Sequence, residues 1–120
     1  GLIREEGVDK ASHFDIEALT MLEEIMEDEF SELVEVFISD SDPRIPALKQ
    51  ALEKKDVATL RELSHSFKGA SGNLSALPLA DLCFKIEEKS RDGQIDGTDE
   101  LIEQVEQEYL AVKSTLLSMI

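Results

Sequence analysis

The chain has no tryptophan, one cysteine, three prolines and only twelve lysines and arginines in 120 residues. Each scarcity excludes something. The single cysteine, Cys83, cannot form an internal disulfide, which points to a reducing compartment, the cytoplasm. Three prolines beside 42% hydrophobic residues do not make a disordered linker. With aromatics at 5%, the core must be mostly aliphatic. Twelve basic residues against 27 acidic ones leave a net charge of −15, which repels nucleic-acid phosphates and anionic lipid surfaces. No apolar run approaches the ~20 residues of a membrane span, and no secretory signal is visible. The first residue is Gly1, so the expectation is a native start further upstream or a residue left by cloning. The compact length suits a single domain with one core.

What is present is helical periodicity. Residues 1–14 show no convincing period and read as an N-terminal tail, leaving 15–120 as the domain. Ile16, Leu19, Leu22 and Met26 form a short stripe, with Asp15 placed to cap it. Phe30, Leu33, Val34, Phe37 and Ile38 follow at core-facing spacing, and Pro43 and Pro46 interrupt before Ile45, Leu48 and Leu52 resume the stripe. Asp56 caps the next helix, Ser75 to Pro78 read as a turn, and Leu79, Leu82, Cys83 and Ile86 mark another helix. A loop over Ser90–Asp99 leads to a last helix through Leu101, Val105, Tyr109, Val112 and Leu116. There is no strand alternation and no internal repeat. The expectation is an all-α fold, an antiparallel four-helix bundle with one or two accessory N-terminal helices.

Within "LSHSFKGASGN" (residues 63–73) one helix carries two glycines, each costing roughly 0.8–1 kcal/mol relative to alanine. At ~100° per residue, Leu60, Leu63, Phe67, Ala70, Leu74 and Leu77 form one stripe if the helix is continuous, and His65 lies opposite it. Arg61, Lys68, Gly69 and Gly72 fall on the His65 side. A nucleophilic imidazole, a nearby cation and a surface cleared of side chains suit phosphoryl transfer. The competing reading makes one glycine a helix C-cap.

The longer stretch "LSHSFKGASGNLSALPLADLCFKIEE" resembles the signature of histidine-containing phosphotransfer (HPt) domains. That signature runs as His, two residues, Lys-Gly, a small-residue stretch, then a Leu-Cys segment ending in an acidic helix. "FSELVEVFISDSDPRIPAL" resembles the family's preceding helix. The resemblance implies a phosphorelay intermediate, a phosphoryl carrier without kinase activity of its own. His65 would accept the phosphoryl group from a receiver-domain aspartate of a hybrid histidine kinase and pass it to the receiver of a response regulator. Lys68 would support the phosphoryl group and Gly69 would permit docking. No cofactor is implied on this chain, Mg²⁺ being expected on the receiver, and a monomer is expected. Arg61, Gly72 and, on a neighbouring helix, Phe37 are the further candidates for the docking surface. Ser75 departs from the family pattern, which has glycine there.

Other signals are weaker. Asp92, Asp96, Gly97 and Glu103 agree with an EF-hand loop, but Gln94 and Asp99 do not, and no second loop pairs with it. "GASG" matches a KH-type GxxG without the strands or the charge such folds need. It lacks the glycine spacing and following lysine of a P-loop. Cys83 sits on an apolar stripe and reads as packing, and His13 reads as a solvated tail residue. A plain helical interaction domain, with His65 incidental, is the rival of another class.

Overall fold

Asp15 and Asp56 start their helices as the sequence suggests. The Asp15 carboxylate accepts from the Ala18 N–H at 3.3 Å, opening α1 (Ile16–Met26). The Asp56 carboxylate accepts from the Thr59 N–H at 3.1 Å and from its hydroxyl at 2.6 Å, opening α4 (Val57–Asn73). The computed structural model describes residues 10–120, and the remaining helices are α2 (Glu29–Ser41), α3 (Arg44–Glu53), α5 (Leu77–Arg91) and α6 (Thr98–Ser118). No strand occurs among the described residues. Pro43, between α2 and α3, and Pro46, in the first turn of α3, each lack an N–H donor. The backbone at Asp42 and Pro43 nevertheless stays right-handed helical, so the two helices make one broken rod.

Helices α3, α4, α5 and α6 close a ring in which each packs on the next, α4 against α5 most extensively. The α2 half of the rod reaches α6, and α1 lies on α2. This is the all-α bundle with accessory N-terminal helices. Leu48, Leu60, Phe67, Leu79, Ile86, Val105, Val112 and Leu116 are fully buried at its centre. Ser64, Ser71 and Ser90 are buried too, each donating to the carbonyl four residues back. Their small size lets α4 and α5 approach closely.

Tyr109 ties α6 to the end of α2. Its hydroxyl donates to Asp42 Oδ1 at 2.5 Å, and Lys113 Nζ reaches the same carboxylate at 3.0 and 3.1 Å. The Tyr109 hydrogen bond, followed by Lys113, holds the Asp42 carboxyl below its ordinary range, while burial pushes the Tyr109 hydroxyl up. The Tyr109 ring meets Phe37 at 6.0 Å and Phe67 at 5.7 Å between centroids. Phe37 is 5% exposed and belongs to this core, so it is not the docking residue its sequence position suggested.

The N-terminal expectation also changes. Residues 10–13 are helical, Phe14 is buried in the core, and His13 Nδ1 lies 2.6 Å from Glu108 Oε2 on α6. These residues are docked on the bundle rather than forming a solvated tail, and residues 1–9 lie outside the described part.

Helix α4 ends at neither glycine. The Ala76 N–H bonds the Ser71 carbonyl at 3.0 Å and the Ser75 N–H bonds the Gly72 carbonyl at 3.0 Å, a Schellman closure with Ser75 left-handed at φ 61°. The C-cap reading of Gly69 and Gly72 is therefore excluded, since both are interior helical residues. Leu77 starts α5 and is exposed, so it leaves the stripe assigned to it on a continuous helix. Left-handed serine is strained by about 1 kcal/mol relative to glycine. Ser75→Gly should accordingly raise the melting temperature by roughly 3–5 °C, read by thermal circular dichroism.

Candidate functional site on the α4–α5 face

The antiparallel pairing of α4 and α5 brings His65 opposite Glu87 and Lys68 opposite Phe84. The His65 side chain is 68% exposed, in keeping with its position opposite the apolar stripe. Its Nδ1 lies 2.8 Å from Glu87 Oε2. A carboxylate at neutral pH only accepts, so Nδ1 carries the hydrogen and donates it. The proton on the ring's Nδ1 leaves Nε2 with its lone pair, and Nε2 has no protein partner among the described residues. The pair therefore fixes both the tautomer and the orientation of the imidazole.

Glu87 is only 12% exposed and serves two partners, His65 and Lys68. Lys68 Nζ lies 2.8 Å from Oε1, and it also sits 5.0 Å from the Phe84 ring centroid. The contact to Oε1 is an ion pair without hydrogen-bond alignment. Lys68, ahead of His65, holds the Glu87 carboxyl below its ordinary value of 4.5 against the opposing effect of burial. Because the folded-state value is the lower one, folding favours the ionised carboxylate. Its stabilisation is complete above the ordinary glutamate range and is lost as pH falls through the lowered value. Urea unfolding of the parent and Glu87→Gln from neutral to acid pH should show the parent more stable near pH 7. The difference should shrink as the pH drops below the ordinary value, and a constant difference would contradict the ion-pair account.

Ala58, Arg61, Glu62, His65 and Glu87 line a shallow open cleft of about 470 Å³. Gly69 and Gly72 continue the same helical face, and a Cβ placed on either meets nothing within 4 Å. Five of the residues singled out in the sequence, Arg61, His65, Lys68, Gly69 and Gly72, are thus together on one surface. Phe37 is not among them; the apolar side chain beside the site is Phe84 of α5, 39% exposed. Glu87 and Phe84 escape sequence reasoning because they lie at the edge of the α5 stripe, and only the helix pairing shows which residues of α5 face α4. Cys83 is buried in that stripe, and burial pushes its thiol up to about 12, as a packing residue requires. No group of three or more His, Cys, Asp or Glu is arranged to hold a metal ion among the described residues, the Asp92–Gly97 loop included.

A family model described as Hpt domain matches residues 32–115. The chain belongs to the Hpt domain family. Among solved structures it is similar to the crystal structure of histidine-containing phosphotransfer protein B from Pseudomonas aeruginosa PAO1. The two are 39% identical with a TM-score of 0.85, over 89% of this chain and 93% of that one. No curated protein matches the chain. None of the helices among the described residues is long and apolar enough to cross a membrane.

Proposed function

We propose that the protein is a phosphorelay intermediate in which His65 carries the phosphoryl group between receiver domains. The observation that supports this most is the exposed imidazole oriented through Nδ1 by Glu87, on a face cleared by Gly69 and Gly72. In the transfer step, the Nε2 lone pair attacks the phosphorus of a receiver's aspartyl phosphate. The N–P bond forms, the P–O bond to the aspartate breaks, and the aspartate leaves as a carboxylate. The phosphorylated ring keeps its Nδ1 proton and becomes cationic, and the Glu87 carboxylate balances that charge. Lys68, adjacent on the same face, offsets the negative charge of the phosphoryl oxygens. Passing the group onward is the reverse reaction at a second receiver. Mg²⁺ would be supplied by the receivers, which carry most of the transition-state stabilisation. The chain itself would act as carrier and not as kinase, as a cytoplasmic monomer.

The donor and acceptor are expected to be the receiver domains of a hybrid histidine kinase and of a response regulator. Incubation with receivers preloaded from acetyl phosphate tests the reading. Phosphate that appears on this chain, labile in acid and stable in alkali, is the expected result. If none is found with any receiver while the receivers keep their own label, His65 is not a relay residue and a plain interaction domain is left.

A further inference from the structure

The two most exposed large apolar side chains among the described residues stand four positions apart on α1. Met21 is 61% exposed and Ile25 71%. At ~100° per residue they share one side of the helix with Glu17 and Glu24, while Leu19 and Met26 lie on the opposite side and pack on the bundle. Helix α1 therefore has two apolar faces, one taken up by the core and one left in water. The outer face is not the product of a loose helix, because α1 is fastened at both ends. Ahead of it Phe14 is buried, and the Asp15 N–H donates to the Ser75 carbonyl at 2.9 Å. Just past its last turn the Phe30 N–H bonds the Glu27 carbonyl at 3.1 Å.

Ile16, Glu17, Thr20, Met21 and Glu24 line a shallow, mainly apolar groove of about 380 Å³ along this face. Single exposed apolar side chains are ordinary on a protein surface. A pair in helical register beside an apolar groove has the form that a second helix recognises. The charge around the groove says what kind of helix. Residues 11–43 contain eleven Asp and Glu and no Lys or Arg. Glu17, Glu23 and Glu24 of α1 make no ion pair among the described residues. A second copy of the chain would set these carboxylates against their own kind, and an anionic lipid surface is repelled in the same way. A partner with cations flanking an apolar stripe meets both features at once.

We propose that the outer face of α1 is a second docking surface, occupied by a basic amphipathic helix of another protein. Met21 and Ile25 are its apolar anchors, and Glu17 and Glu24 are the charges beside them. The unbranched thioether of Met21 adapts its shape to the side chains it meets. Helix α1 lies on α2 and makes no extensive contact with α4 or α5, so a helix seated there leaves the His65 face open. The chain can then be held in an assembly through α1 while other molecules come and go at His65.

The probe is a synthetic helix-forming peptide of about 18 residues with leucine on one face and lysine on the rest. A scrambled peptide of the same composition and an analogue with glutamate for lysine are compared with it. Affinity is read by fluorescence anisotropy for the parent, the double variant Met21→Ser/Ile25→Ser, and Leu110→Ser, an exposed apolar position on α6. Circular dichroism checks that the variants keep their helices, and amide shifts in the isotope-labelled parent locate the probe without any variant. The amphipathic probe should bind about tenfold or more tightly than the scrambled one, and the acidic analogue should not bind. The double variant should lose about tenfold or more, Leu110→Ser should stay near parental, and the shifts should centre on α1. Equal binding of the scrambled peptide, or full binding by the double variant, reduces the effect to the attraction of any polycation for an acidic chain and overturns the inference. Shifts centred on the α4–α5 face overturn it too. Self-association of the parent, or its binding to lipid vesicles, that the double variant abolishes would assign the face to a second copy or to a membrane instead. Binding is read directly, so the relay can fail without deciding this result.

Discussion

His65→Gln is expected to abolish phosphate uptake completely while leaving the melting temperature within a degree or two of the parent, a small-effect range for an exposed substitution. The side chain is 68% exposed and is held by a hydrogen bond to the Glu87 carboxylate. Glutamine keeps a donor for that carboxylate but has no nucleophilic ring nitrogen. The chemistry and the stability are therefore separable at this one position. Labelling by preloaded receivers and thermal circular dichroism read the two quantities on the same samples. A loss of several kcal/mol would mean that His65 supports the core, and labelled glutamine variant would place the phosphate elsewhere.

Gly69→Leu is expected to lower transfer by more than tenfold without loss of stability. Glycine in a helix interior costs about 1 kcal/mol relative to alanine, and leucine is nearly as good a helix former as alanine. Nothing lies within 4 Å of a Cβ built at Gly69, so the first side-chain carbon of either substitution meets no steric obstacle inside the molecule. Gly69→Ala should raise stability by up to about 1 kcal/mol and slow transfer only slightly. Gly69→Leu should keep most of that stability and obstruct a partner that approaches across the face, one turn from the imidazole. Stability and transfer would then move in opposite directions along the Gly, Ala, Leu series. A leucine variant that transfers at the parental rate would show that the cleared surface serves no docking.

The helices themselves were readable because their signals are local. Caps at Asp15 and Asp56 act over three residues, and the stripes of α2 and α6 repeat over several turns. The site was half readable for the same reason. His65, Lys68, Gly69 and Arg61 share one helix, so a helical wheel brings them together. Glu87 is on another helix, and nothing periodic in the sequence tells which side of α5 meets α4. Phe37 failed for the converse reason: its spacing marks it as apolar and inward, but the wheel of α2 cannot say that the inward partner is Tyr109. The segment ahead of Asp15 was misread because Phe14 and His13 find their partners across the fold, in the core and on Glu108, more than ninety residues away in the latter case. Ser75 showed as a departure from the family pattern, and its left-handed backbone gives the physical reason why glycine suits that position.

The turn between α4 and α5 is only Leu74 to Ala76, and it joins the two helices that pack most extensively. His65 and Glu87 are 22 positions apart, so closing that hairpin is enough to bring them together. Short loops close at small entropic cost, and structures dominated by such near-neighbour contacts form fast. The reactive ring is thus oriented by a unit that needs no long-range search, while the contacts from residues 13 and 14 and from α6 are of high sequence separation. Orientation of the imidazole is in this sense a kinetic property of one hairpin, and durability is a property of the whole bundle. Changes in the accessory helices should alter how long the site persists before they alter how its ring is held.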